Sequence, residues 1–199
     1  MKPAYYVKKV ETRDWKQIEK VTLVHTEWLE KSSVTATAQV CCDHEGLWVR
    51  MEAQENPVRA TLTGDLDSVC TDSCLEFFFA PDSADRRYFN FEFNPLGTIY
   101  LGFGAERATR VRQILRDSRE LFCQKPFFTD DGWGIEFKIP LSFIRMYCPG
   151  YTCSGESCCN FYKCGDRTEV PHYLAWAPLT SNTPDYHRRQ DFGILKFSE

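Results

Sequence analysis

Asp72–Gly104 reads DSCLEFFFAPDSADRRYFNFEFNPLGTIYLGFG, and two of its segments alternate with the period of a β-strand. In Tyr88–Asn94, Phe89, Phe91 and Phe93 fall on one face, and Asn90, Glu92 and Asn94 fall on the other. In Ser73–Phe79, Leu75, Phe77 and Phe79 form one set, with Cys74, Glu76 and Phe78 opposite. Antiparallel pairing across Ala80–Arg87 merges the phenylalanine sets into a shared core. The same pairing puts Glu76 on the face of Asn90, Glu92 and Asn94, next to the Phe78 ring. Acids and amides beside an aromatic on a rigid sheet suit the recognition of sugar hydroxyls.

The rest of the chain extends this pattern. Short extended segments are expected at Tyr5–Val10, Val21–His25, Thr35–Cys41, Leu47–Glu55, Thr98–Phe103, Leu121–Phe128, Trp133–Ile139, Tyr173–Ala177 and Gly193–Phe197. Asp43–Gly46 and Asp130–Gly132 serve as hairpin turns. Asp14 is placed to cap a short helical turn, and Pro140 to start another at Leu141–Met146. Cys148–Asp166, rich in Cys and Gly, reads as a loop. The expected fold is all-β: a single domain over residues 1–199, an antiparallel, jelly-roll-like β-sandwich of ten to eleven strands with few short helical turns.

Composition narrows the function. Of 199 residues, 15% are aromatic, as strands favour, and the net charge is −4. The run Arg107–Arg119 holds five arginines, but Glu106, Asp117 and Glu120 dilute it. It reads as a solvated edge strand or hairpin, and no nucleic-acid partner is expected. No apolar run reaches the ~20 residues of a membrane span, and the N-terminus lacks a signal-peptide core, so no membrane partner is expected either. The chain as it stands is expected in the cytoplasm, with its ten cysteines mainly reduced. The same chain trimmed of a leader would be extracellular. Cys148, Cys153, Cys158, Cys159 and Cys164 follow C-x4-C-x4-C-C-x4-C, a spacing open to free thiols, disulfides or zinc. Cys41, Cys42, Cys70 and Cys74 read as packing residues.

The succession DSCLEFFFAP, YFNFEFNPLGT, WGIEFKIP, NFYKCGD, PHYLAWAPL and PDYHRRQDFGILKF resembles the motifs of the family 9-like carbohydrate-binding modules, in order, from about Val40 onward. The resemblance implies a β-sandwich that binds the end of an oligo- or polysaccharide between tryptophans, with carboxylate, amide and basic groups on the hydroxyls. It also implies that structural calcium is an option. Trp176 matches a stacking tryptophan and Glu76 the acid of the first strand. Val69, Cys70 and Thr71 stand where the second tryptophan would be. The expected ligand-binding set is therefore Trp176 for stacking, Glu76, Asn90 and Glu92 from the strands, and Lys163, His187 and Arg188 from loops. The expected function is non-catalytic saccharide binding. Two alternatives stand beside it: a glycoside hydrolase using Glu76 and Glu92 as its carboxyl pair, and an interaction module whose sugar site has decayed.

Overall fold

The computed structural model describes residues 2–198. Fourteen strands run in chain order: β1 (Ala4–Lys9), β2 (Val21–Thr22), β3 (His25–Thr26), β4 (Thr35–Cys42), β5 (Gly46–Gln54), β6 (Cys74–Ala80), β7 (Tyr88–Phe93), β8 (Ile99–Gly104), β9 (Val111–Gln113), β10 (Lys125–Thr129), β11 (Gly132–Pro140), β12 (Glu156–Cys164), β13 (Tyr173–Ala175) and β14 (Gly193–Phe197). Two short helices, α1 (Ser118–Leu121) and α2 (Leu141–Tyr147), and three single 3-10 turns complete the described residues. Asp14 caps the first of these turns by accepting from the Lys16 amide at 3.0 Å.

The strands form one curled sheet in the order β10-β11-β5-β4-β1-β14-β12-β6-β7-β8-β9, with β2, β3 and β13 attached to its flanks. The curl turns on β1. Its first half, from Ala4 to Val7, runs parallel to β14, and Lys8 and Lys9 run parallel to β4. The two wings therefore fold over each other, and Phe77, Phe91 and Phe93 of one meet Phe137 of the other at ring-centroid distances of 6.4, 5.8 and 4.7 Å. Leu75, Phe77, Phe79, Phe89, Phe91 and Phe93 are all fully buried in this core, as the alternation predicts.

Two expectations need correction. The all-β fold stands, but the sheet is mixed rather than purely antiparallel, because β1 is parallel to both neighbours. It has fourteen strands rather than ten or eleven. Val21–His25 divides into two short strands, and the arginine run contributes the edge strand β9. The third addition, β12, lies inside the segment expected as a loop. It is central, hydrogen-bonded along its length to β6, β13 and β14. Both of its faces are buried, so no polar alternation marks it in the sequence.

The face of β6 and β7 opposite the main core is also covered. Val69, Cys74, Phe78, Tyr88, Tyr162, Cys164, Tyr186 and Phe192 form a second, smaller cluster there. The chain between Ala177 and Phe192, with Trp28, lies over it: Tyr186 stacks on Tyr162 at 4.0 Å, and Trp28 meets Tyr186 and Tyr173 at 5.3 and 5.5 Å. Where this cover stops, a pocket opens.

Candidate functional site

The pocket floor is set by strand register. Glu76 pairs with Glu92 across β6 and β7, Glu92 with Tyr100 across β7 and β8, and Tyr162 with Glu76 across β12 and β6. Directly paired residues point the same way. One row across four strands therefore reads Tyr162, Glu76, Glu92, Tyr100, two adjacent carboxyls between two phenols. The cavity above it has a volume of about 450 Å³. Trp28, Tyr173 and Tyr186 form one wall, Arg107 and Arg110 another, and Asp166, Asp185 and His187 complete the rim.

Arg110 reaches the floor because β8 carries a glycine beneath it. A Cβ at Gly102 would lie 2.5 Å from Asn90 Oδ1 and 3.1 Å from Arg110 Cδ and Nε. The guanidinium donates from Nη1 to His187 Nδ1 at 2.6 Å, and Tyr88 donates its hydroxyl to the same nitrogen at 2.8 Å. An Nδ1 accepting twice carries no proton, so neutral His187 holds its proton on Nε2. Burial, reinforced by the charges of Arg110 and Arg107, pushes His187 down to about 2.

The carboxyls are 3% and 5% exposed. Burial, opposed by Arg110, pushes Glu92 up to about 7. Burial and the facing Glu92 push Glu76 well above the usual carboxylate range. Asn90 donates to Glu92 at 2.8 Å, and the Cys164 thiol donates to Glu76 at 3.0 Å. Two such groups titrate as a coupled pair, with at least one proton retained near neutrality.

A pH signature follows from these shifts. Native Glu92 keeps its proton from about 4.5 up to about 7, so its contribution makes stability fall as pH rises through that window. His187, depressed from 6.5 to about 2, acts oppositely, and its contribution is lost as pH falls below 6.5. The two oppose each other between pH 4.5 and 6.5. In Glu92→Gln the first disappears. The stability of the variant is expected to rise with pH more steeply than that of the wild type, by on the order of 1 kcal/mol per pH unit. Urea midpoints of both proteins at pH 5 and pH 6.5 check this, and parallel slopes would contradict it.

Of the residues expected to bind ligand, Glu76, Glu92 and His187 meet in this pocket. Asn90 shares their face but is fully buried, where it holds Glu92 in place. The other three lie elsewhere. Trp176 follows Ala175, whose partner is Tyr162, so it points to the main core. There it packs on Phe161 and lies across Gly193, where a Cβ would approach the indole to 2.4 Å. It does not border the depression. Lys163 likewise faces inward, with its ammonium between Glu55 (3.0 Å), His172 (2.6 Å) and the Cys164 carbonyl (2.8 Å). Arg188 turns away to Asp191 and Thr180.

Sequence reasoning missed Trp28, Tyr100, Arg110, Tyr173 and Tyr186. Tyr100 was within reach, since the turn Pro95–Gly97 fixes the register that pairs it with Glu92. The others arrive from loops and distant segments, for which local pattern gives no placement. All ten cysteines are free thiols, and the five of Cys148–Cys164 do not gather. Cys159 enters the main core, and Cys158 and Cys164 face the smaller cluster.

A family model described as carbohydrate-binding family 9 matches residues 8–197. A proposed carbohydrate-binding protein from Bacteroides uniformis is 25% identical, with 100% of each chain covered and a TM-score of 0.87. A family 9 carbohydrate-binding module from Caldicellulosiruptor kristjanssonii in complex with cellotriose is 14% identical, covering 98% of this chain and 93% of that one at a TM-score of 0.68. A family 9 module from the same organism in complex with glucose is 15% identical, covering 98% and 96%, also at 0.68. At these identities the two modules establish likeness of fold. No curated protein matches the sequence.

Proposed function

We propose, for a chain that belongs to carbohydrate-binding family 9, that the pocket over Glu76 and Glu92 binds the end of an oligo- or polysaccharide without transforming it. The observation that carries this reading is the floor: two adjacent buried carboxyls, flanked by phenols, under a wall of tryptophan and tyrosine. A carboxyl pair sharing a proton offers both acceptors and a donor, which matches sugar hydroxyls that do both. Arg110 and the Nε2 proton of His187 add fixed donors at the rim. Trp28 and Tyr100, rather than Trp176, present aromatic surface to the sugar ring. The glucose and cellotriose complexes of the similar modules support a glucose-based ligand first.

Calorimetric titration with a panel of gluco- and xylo-oligosaccharides tests the reading. The wild type should bind at least one, and Trp28→Ala, measured well below its melting range because Trp28 also packs on Tyr186 and Tyr173, should bind it at least about tenfold more weakly, a difference of ~1.4 kcal/mol. Unchanged affinity in Trp28→Ala would contradict this placement. The shared-proton pair also favours a second reading, glycoside hydrolysis, in which the protonated carboxyl serves as acid and its partner as base or nucleophile. Release of reducing ends that disappears in Glu92→Gln would establish it. Intact ligand after prolonged incubation leaves binding alone.

A further inference from the structure

Two cysteines facing the smaller cluster join Glu76 of the pocket floor in a constellation whose thiols saccharide binding does not use. Cys74 and Cys164 are register partners on β6 and β12, and Glu76, two residues along β6 from Cys74, shares their face. All three are buried, and their Sγ and carboxylate oxygen atoms lie within 4.8 Å of one another. We propose that Cys74, Cys164 and Glu76 bind a thiophilic divalent cation, Zn²⁺ foremost, at the floor of the pocket. This rests on the geometry of the pocket and not on its sugar ligand, and its readouts contain no sugar.

Three observations carry it. First, the spacing fits. A tetrahedral zinc with sulfur ligands at about 2.3 Å and oxygen at about 2.1 Å needs S···S near 3.8 Å and S···O near 3.6 Å. Cys164 Sγ already stands 3.0 Å from Glu76 Oε1, so small side-chain rotations on two central strands suffice. Second, the carboxyl pair lacks a close ion partner. Glu76 is 3% exposed, receives one hydrogen bond, from a thiol, and faces Glu92. Among the described residues neither carboxyl forms a salt bridge, and Arg110 acts on both only as a nearby charge. A cation held by Glu76 supplies what a buried carboxylate otherwise lacks. Third, the site is open on one side. Glu76 and Cys164 line the cavity, and Cys70 sits partly exposed at its edge. Three protein ligands and a free position toward a pocket describe a site that exchanges its fourth ligand. Two sulfurs in three donors disfavour calcium here, which takes six to eight oxygens.

Thiols bind a cation as thiolates, so the cation must displace their protons, and affinity should weaken as pH falls. The full chain, reduced with a phosphine and freed of chelator, is titrated with Co²⁺ and then with Zn²⁺ in competition. One equivalent of cobalt should give a sulfur-to-cobalt charge-transfer band and the visible bands of a tetrahedral site, and zinc should bleach both. Cys74→Ser and Cys164→Ser should each lose charge-transfer intensity and bind at least about tenfold more weakly, and Cys148→Ser should match the wild type. Zinc X-ray absorption on the wild type alone, which no folding defect can confuse, should show two sulfur neighbours at about 2.3 Å. A wild type that takes up no cobalt, takes it up without sulfur charge transfer, shows no sulfur neighbours, or keeps full affinity after Cys74→Ser overturns the proposal.

Discussion

Replacing Lys163 with methionine should destabilise the protein by about 3–5 kcal/mol and leave the saccharide affinity of the folded chain within about twofold of the wild type. The ammonium is fully buried and faces Glu55, which also accepts from Ser73 at 2.8 Å and Trp133 Nε1 at 3.0 Å. His172 belongs to the same network as a neutral group. Its Nε2 accepts from Lys163, its Nδ1–H donates to the Val170 carbonyl at 2.9 Å, and burial together with the Lys163 charge lowers its pKa. Methionine fills the aliphatic path of the lysine but leaves Glu55 as a buried charge with only neutral donors. For a domain of this size the loss corresponds to a melting temperature lower by on the order of 10 °C. Thermal and urea unfolding measure the first part, and calorimetric titration below the melting range measures the second. A stable variant with lost affinity would restore Lys163 to the ligand site.

Trp176→Ala should cost about 3–5 kcal/mol by the same assays. The indole is 6% exposed, packs edge-on against Phe161 at 5.5 Å and lies on the backbone of β14 at Gly193. Alanine leaves a cavity that β14, held between β1 and β12, cannot close by moving. A Trp176→Phe variant should recover part of the stability. If Trp176→Ala unfolds like the wild type yet no longer binds saccharide, the indole touches ligand and its placement in the core is wrong.

Lys163 and Trp176 show where sequence reading stopped. Parity within β6 and β7 was legible, because each strand carries apolar residues on one face and at least one acid, Glu76 or Glu92, on the other. From it came the buried phenylalanines, the shared face of Glu76 and Glu92, and the placement of the pocket floor. Lys163 and Trp176 depend on β12 and β13, where the pattern gives no warning. In β12 a lysine lies inward beside Cys159 and Phe161, an assignment that only the distant Glu55 explains. Trp176 took its expected role from motif alignment, which preserves order along the chain but not the direction of a side chain. The mixed sheet was illegible for a related reason. Nothing local in Tyr5–Val10 says that the first strand lies parallel between β4 and β14, far apart in sequence. The pocket walls came from segments whose positions are set by packing: Trp28 near the start, Arg110 between β8 and β9, and Tyr186 near the end.

The claim that the Glu76 and Glu92 face is the saccharide site is tested most directly by a crystal structure of the chain with the tightest-binding oligosaccharide from the panel. The account predicts a terminal sugar ring in the cavity, its hydroxyls within hydrogen-bond distance of Glu76 or Glu92, its face against Trp28 or Tyr100, and Trp176 still packed on Phe161. A sugar bound anywhere else, with this cavity left to solvent, would contradict it.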